Sequence, residues 1–192
     1  MDPEPLREPS LNDLCCLTLL GNIAYAARCA RRIQPRFQLP ADAHDGDKMT
    51  AVVEASIRLA EGYVVQAVAQ LDQAARLTEL SLAVAEATSE ETDYAAYAAY
   101  HAVRGVHLAA PCGEAAGDEA YLEIVASAYG ASRVVLANVP IWVRNQLVTA
   151  LRGDYDKLVQ LGLGNPPQRG QVFNPTITGP LGALWSGDSP TW

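Results

Sequence analysis

Apolar residues recur at three- and four-residue spacing through most of the chain, the pattern that one buried face of an α-helix imposes. Ser10 offers an N-cap to a first helix expected from about Leu11 to Gln34, ended by Pro35. Residues 38–47 form a polar connection. Beyond it Met49, Val52, Val53, Ile57 and Ala60 share one face while Glu54, Arg58 and Glu61 share the other. That predicts an ordinary surface helix over about 48–61, with Gly62 as its stop. From Val64 to Ala87 an apolar stripe of Val64, Val68, Leu71, Ala75 and Leu82 runs beside a polar line of Gln66, Gln70 and Gln73. Ser89 can cap the next helix, with Glu90 and Glu91 in its first turn, and Pro111 ends it. Another helix is expected over about 118–137. Asn138 followed by Pro140 starts the last, which reaches about Leu161 before Gly162 and Gly164 stop it.

No stretch alternates apolar and polar residues for long enough to make a strand. SRVVLANV comes nearest and is too isolated to build a sheet. The expected class is therefore all-α: a single-domain bundle of about six helices over residues 11–163. Before it lies an arm, residues 1–10, whose prolines predict flexibility. After it comes a Pro- and Gly-rich tail, residues 164–192, which still contains Phe173, Leu181, Leu184, Trp185 and Trp192. A freely disordered tail carries fewer large aromatics. The tail is expected to lie extended along the bundle, anchored by Phe173 and Trp185 in grooves between helices.

Charge narrows the choice of partner. With 14 Lys+Arg against 22 Asp+Glu the chain carries a formal charge of −8, a field that repels phosphate backbones and anionic lipid, so neither nucleic acid nor membrane is an expected partner. Cys15, Cys16, Cys29 and Cys112 form no CxxC pair and have no histidine at zinc spacing, which fits reduced thiols in a cytoplasm. The apolar run from Leu14 to Ala27 is preceded by acidic residues and followed by Arg28, Arg31 and Arg32, the reverse of a secretory signal, and is too short to span a bilayer. Those arginines read first as cations opposing the negative end of a helix dipole, with an anion or partner site as the alternative.

The stretch TDYAAYAAYHAVRGVH gathers the candidate chemistry. At 100° per residue Tyr94, Tyr97, His101 and Arg104 form one stripe flanked by Tyr100 and His107, opposite a small face of Ala95, Ala98, Ala99, Ala102, Gly105 and Val106. The small face suits close helix packing. The band either buries under another element, with Trp185 and carboxylates of neighbouring helices as its partners, or forms a protein-binding surface, or lines a small-molecule pocket. In the last case His101 would act as an acid, Tyr97 as a hydrogen-bond donor and Arg104 as an anion clamp. His101 and His107 point about 120° apart and cannot chelate one ion by themselves. His44 in DAHDGD reads as part of a solvated loop, no GxSxG is present, and the glycines of LGLGNPPQRG lack the strand and helix a phosphate loop needs. No cofactor or metal is expected.

The segments YAARCARRIQPRF and VVEASIRLAEGY, separated by a short acidic spacer, resemble the start of a group of small bacterial all-helical immunity proteins. Cys29, Ala30, Arg32, Pro35 and Phe37 carry the likeness, which covers residues about 24–62. It implies a helical bundle that binds and neutralises a toxin without catalysis. Together these readings point to a non-enzymatic cytoplasmic helical protein of immunity or adaptor type, whose partner is a protein, basic by charge complementarity. A ligand-binding protein or enzyme using the His/Tyr/Arg band is the alternative.

Overall fold

A computed structural model describes residues 7–40, 43–88, 93–112, 116–137, 139–162 and 168–190. They form an all-α bundle: α1 (Leu11–Leu14), α2 (Leu19–Ile33), α3 (Gly46–Gln66), α4 (Leu71–Ala87), α5 (Asp93–Ala109), α6 (Asp118–Ala137) and α7 (Ile141–Gln160), with 3-10 turns at Gln34–Arg36 and Ala110–Cys112 and no strand among the described residues. No helix among them is long and apolar enough to cross a membrane. Ser89, Glu90, Glu91, Asn138, Gly164 and Trp192 lie outside the described residues.

Three boundaries differ from the sequence expectation. The first helix is broken in two. Ser10 and Asp13 form a reciprocal capping box, but after one turn the chain unwinds and Thr18 caps a new helix, its Oγ1 accepting from the Gly21 amide at 3.2 Å. The break is stable because Asn22, fully buried, donates through Nδ2 to the carbonyls of Leu14, Leu17 and Thr18 at 3.2, 3.4 and 3.1 Å. Next, α3 runs straight through Gly62 and stops at Ala67, whose φ is 53°. An interior glycine costs about 1 kcal/mol relative to alanine, less than the roughly 1.5–3 kcal/mol gained by burying a side chain such as Val64, the second residue after it. In consequence the stripe expected from Val64 to Leu82 spans a corner. Val68 is 72% exposed, Leu71 is 45% exposed, and α4 instead buries Ala74, Leu77, Ser81, Val84 and Ala85. Of the expected arm, Pro9 is buried and Glu8 accepts from Arg133 Nη1 at 2.7 Å.

α5 lies at the centre, packed on α2, α3, α4 and α6. Its small face is buried as expected, and at Gly105 a Cβ would sit 3.4 Å from Ile23 Cγ1, so the lack of one brings α2 close. Every residue of α2 except Arg31 is buried. That includes Arg28 and Arg32, which corrects their reading as helix-end surface cations: they are internal anchors for the tail.

The tail runs along α2 and satisfies it at both ends. The carbonyls of Gln168 and Arg169 accept from the amides of Leu19 and Leu20 at 3.1 and 2.9 Å, donors that no helix can satisfy for itself. Further on, Arg28 donates through Nη1 to Pro175 and Gly182 carbonyls at 3.3 and 3.0 Å and through Nη2 to Ala183 at 2.9 Å. Arg32 Nε donates to the Leu184 carbonyl at 2.8 Å. Both guanidiniums meet one oxygen, Asp154 Oδ2, Arg28 through Nε at 2.9 Å and Arg32 through Nη1 at 2.5 Å. The turns that aim these carbonyls need glycine. At Gly179 a Cβ would lie 1.8 Å from the Asn174 carbonyl oxygen, and Gly182 has φ +69°, which directs the Leu181 carbonyl to Lys157 Nζ at 2.6 Å. Phe173 and Trp185 are half-buried against the core, Trp185 with the Arg32 guanidinium 5.8 Å from its ring centre. Pro175 and Leu181, not singled out from sequence as anchors, are the buried residues among those described in the tail.

Two outcomes follow from this cluster. Asp154→Ala leaves two buried guanidiniums without a counter-charge and is expected to cost about 3–5 kcal/mol, measured by denaturant unfolding. Truncation after Gly164 removes the carbonyls as well, and is expected to lower the melting temperature by several degrees and create dye-binding apolar surface.

Candidate functional site

The alanines of α5 favour a helix on their own, and Asp93 in the first turn and His107 in the last oppose the two ends of its dipole. Their spacing gathers the tyrosines, histidines and arginine on one flank, from which His101 and Arg104 meet α6. Tyr94, Tyr97, Tyr100, His101, Arg104 and His107 are all half-buried, so the band is neither a sealed layer nor an open face.

α6 supplies the partners. Arg104 donates through Nη2 to Glu123 Oε2 at 2.7 Å and through Nη1 to Ser127 Oγ at 3.2 Å. The His101 ring lies over Gly130, where a Cβ would come within 2.5 Å of Cε1. Its other side leans on Tyr100, with ring centres 5.1 Å apart and planes tilted by 57°. Tyr97 rests on the core. A neighbouring carboxylate was expected as a partner and Glu123 is one. The ring of Trp185 lies beside the Arg32 guanidinium.

Nδ1 of His101 and Nδ1 of His107 are buried with no hydrogen-bond partner. Burial, with the Arg104 charge beside it, pushes His101 down to about 4 from an ordinary 6.5. At neutral pH the imidazole is therefore uncharged and has no proton to give as an acid, and the clamp assigned to Arg104 is committed to α6. The thiols offer no better nucleophile. All four cysteines are free, but burial raises the fully buried Cys29 to about 12, well above the range of a reactive thiolate. Among the described residues no three His, Cys, Asp or Glu converge on a metal position.

Of the hollows that lie elsewhere, two are lined in part by α3. One, of about 420 Å³, adjoins the acidic loop and is lined by Leu39, Pro40, Asp45 and Lys48 among others. His44 beside it is solvent-exposed, with Nε2 3.3 Å from Asp45 Oδ2. The other, of about 370 Å³, lies between α2, α3 and the tail. Its charged wall was read from sequence as the outer face of a surface helix. In the structure Glu54 and Glu61 reach across to Arg31, at 2.7 Å each. Neither this cross-helix pairing nor the role of Asp154 has a local signal in the sequence, since each depends on residues brought together only by the fold.

The contact between His101 and Gly130 can be tested from both sides. Gly130→Ala forces the imidazole to move and is expected to cost about 1–3 kcal/mol, most of it recovered when His101→Ala is added. The neutral imidazole also makes stability depend on pH. Between pH 6.5 and about 4 the unfolded chain takes up a proton at His101 before the folded one does, so stability falls as pH falls through that window and levels off below it. In His101→Phe this part of the acid loss, on the order of 3 kcal/mol, is expected to vanish when unfolding is followed across those pH values.

No protein-family model, no curated protein and no solved structure matches the chain.

Proposed function

We propose that this chain is a non-enzymatic cytoplasmic binding protein of immunity or adaptor type, whose partner is a basic protein. The observation that carries the reading is where its charge lies. Arg28, Arg32 and Asp154 are buried and hold a formal +1 between them, which leaves −9 on the rest of the chain against −8 for the whole. The net −8 of the molecule sets an acidic outer field, and such a field steers cationic surfaces inward. The half-buried tyrosines on α5 supply the kind of aromatic edge on which protein contacts concentrate their energy. An uncharged His101, an engaged Arg104 and an inert Cys29 favour binding over catalysis. The likeness to immunity proteins over residues about 24–62 points the same way, although one of its positions, Arg32, is occupied in holding the tail.

The full chain, immobilised and exposed to extract from its host, is expected to retain a basic protein at about 0.05 M salt and to release most of it by about 0.5 M, where the Debye length has shrunk severalfold. Tyr97→Ala with Tyr100→Ala is expected to weaken that capture about tenfold while circular dichroism stays unchanged. Retention of no protein at either salt concentration would overturn the proposal, as would a partner whose binding ignores salt.

A further inference from the structure

The cleft between α2, α3 and the tail has one apolar side, made by Pro175, Ile177 and Leu184, with Ile177 61% exposed. Its other side is ionic, and the hydrogen-bond inventory there is one-sided. Glu61 gives both oxygens to Arg31, at 3.1 and 2.7 Å. Glu54 accepts from Arg31 Nη1 at 2.7 Å and also from Gln34 Nε2 and Arg58 Nε. Burial pushes the Glu54 carboxyl up, and these three donors more than reverse that, holding it below the ordinary value. Arg31 is engaged through Nε, Nη1 and Nη2, and Arg28 is engaged by Asp154 and tail carbonyls. Arg58 is different. Only its Nε is engaged; Nη1 and Nη2 have no partner among the described residues, and the side chain is 74% exposed. Both carboxylates of the cleft are tied to guanidiniums, and the donors left without a partner among the described residues include the two Nη groups of Arg58. Arg28 is paired with Asp154 and Arg31 with Glu54 and Glu61, which leaves the outer edge of the Arg58 guanidinium open to solvent.

We propose that this cleft binds a carboxylate joined to a short apolar group. The two Nη groups of Arg58 take the carboxylate, and the apolar group lies on Pro175, Ile177 and Leu184. An amine meets the like charge of the Arg58 guanidinium, and a neutral amide forfeits the charge. The same chemistry is offered by a free small acid and by the C-terminal residue of a peptide chain. The site stands apart from the protein partner proposed above, since none of its residues belongs to the α5 band.

The full-length protein titrated with hexanoate, N-acetyl-leucine and N-acetyl-leucinamide, followed by NMR chemical shifts, tests it. At least one acid is expected to saturate in the millimolar range or below, with the amide about tenfold weaker. Tighter binding of N-acetyl-leucine than of hexanoate identifies a chain terminus as the natural ligand, and the reverse identifies a free acid. Arg58→Gln, an exposed substitution, is expected to weaken the acid about tenfold at an unchanged melting temperature, and Ile177→Asp to abolish binding. The proposal fails if neither acid saturates, if acid and amide bind alike, or if Arg58→Gln binds as the parent does.

Discussion

Taking a guanidinium out of water costs several kcal/mol unless its N–H groups find oxygens, and α2 does this twice within two turns. One carboxylate cannot neutralise both. Asp154 contributes a single oxygen to each arginine, and the remaining donors turn to peptide carbonyls, four from the tail and one from Ala150 of α7. Carbonyl dipoles thus supply the negative field that a second carboxylate would otherwise provide. The tail's path follows from this need. Its glycine turns, its buried Leu181 and the bond from Lys157 all place carbonyls where two buried cations require them.

The helices were legible where their signals were local. Ser10 with Asp13, the run from Asp118 to Ala137 and the proline before α7 are decided by neighbours within one turn, and the structure places them where the sequence does. Where distant residues decide, reading fails. Gly62 is a good helix stop until the packing of Tyr63 and Val64 outweighs it, and the break before α2 depends on a buried Asn22 and on the Tyr121 hydroxyl, which sits 2.9 and 2.6 Å from the Cys15 and Leu17 carbonyls. The arginines show the limit most clearly. At the end of an amphipathic pattern, basic residues signify solvent; here Arg28 meets its counter-ion 126 residues away.

The band on α5 occupies an intermediate position, in both readability and burial. Its members and their common flank follow from helical spacing alone. Their environment does not, because it is set by what α6 brings: a glycine that admits the His101 ring, a serine and a glutamate that hold Arg104. The cost of that fit falls on the imidazole, which is held uncharged with a buried nitrogen unpaired. What remains outward is aromatic edge rather than reactive group, and this separates a surface that can be recognised from one that can react.

The distance along the chain between Arg32 and the carbonyl it holds, 152 residues, sets a schedule as well as a structure. A ribosome adding about 5–20 residues per second needs roughly 8–30 s to travel that far. Throughout that interval the nascent α2 exists without the oxygens that make its burial tolerable. The N-terminal part of the chain is therefore committed to waiting in a hydrated or chaperone-bound form, and the final collapse of the bundle falls after the last of the clamp's carbonyls has left the exit tunnel.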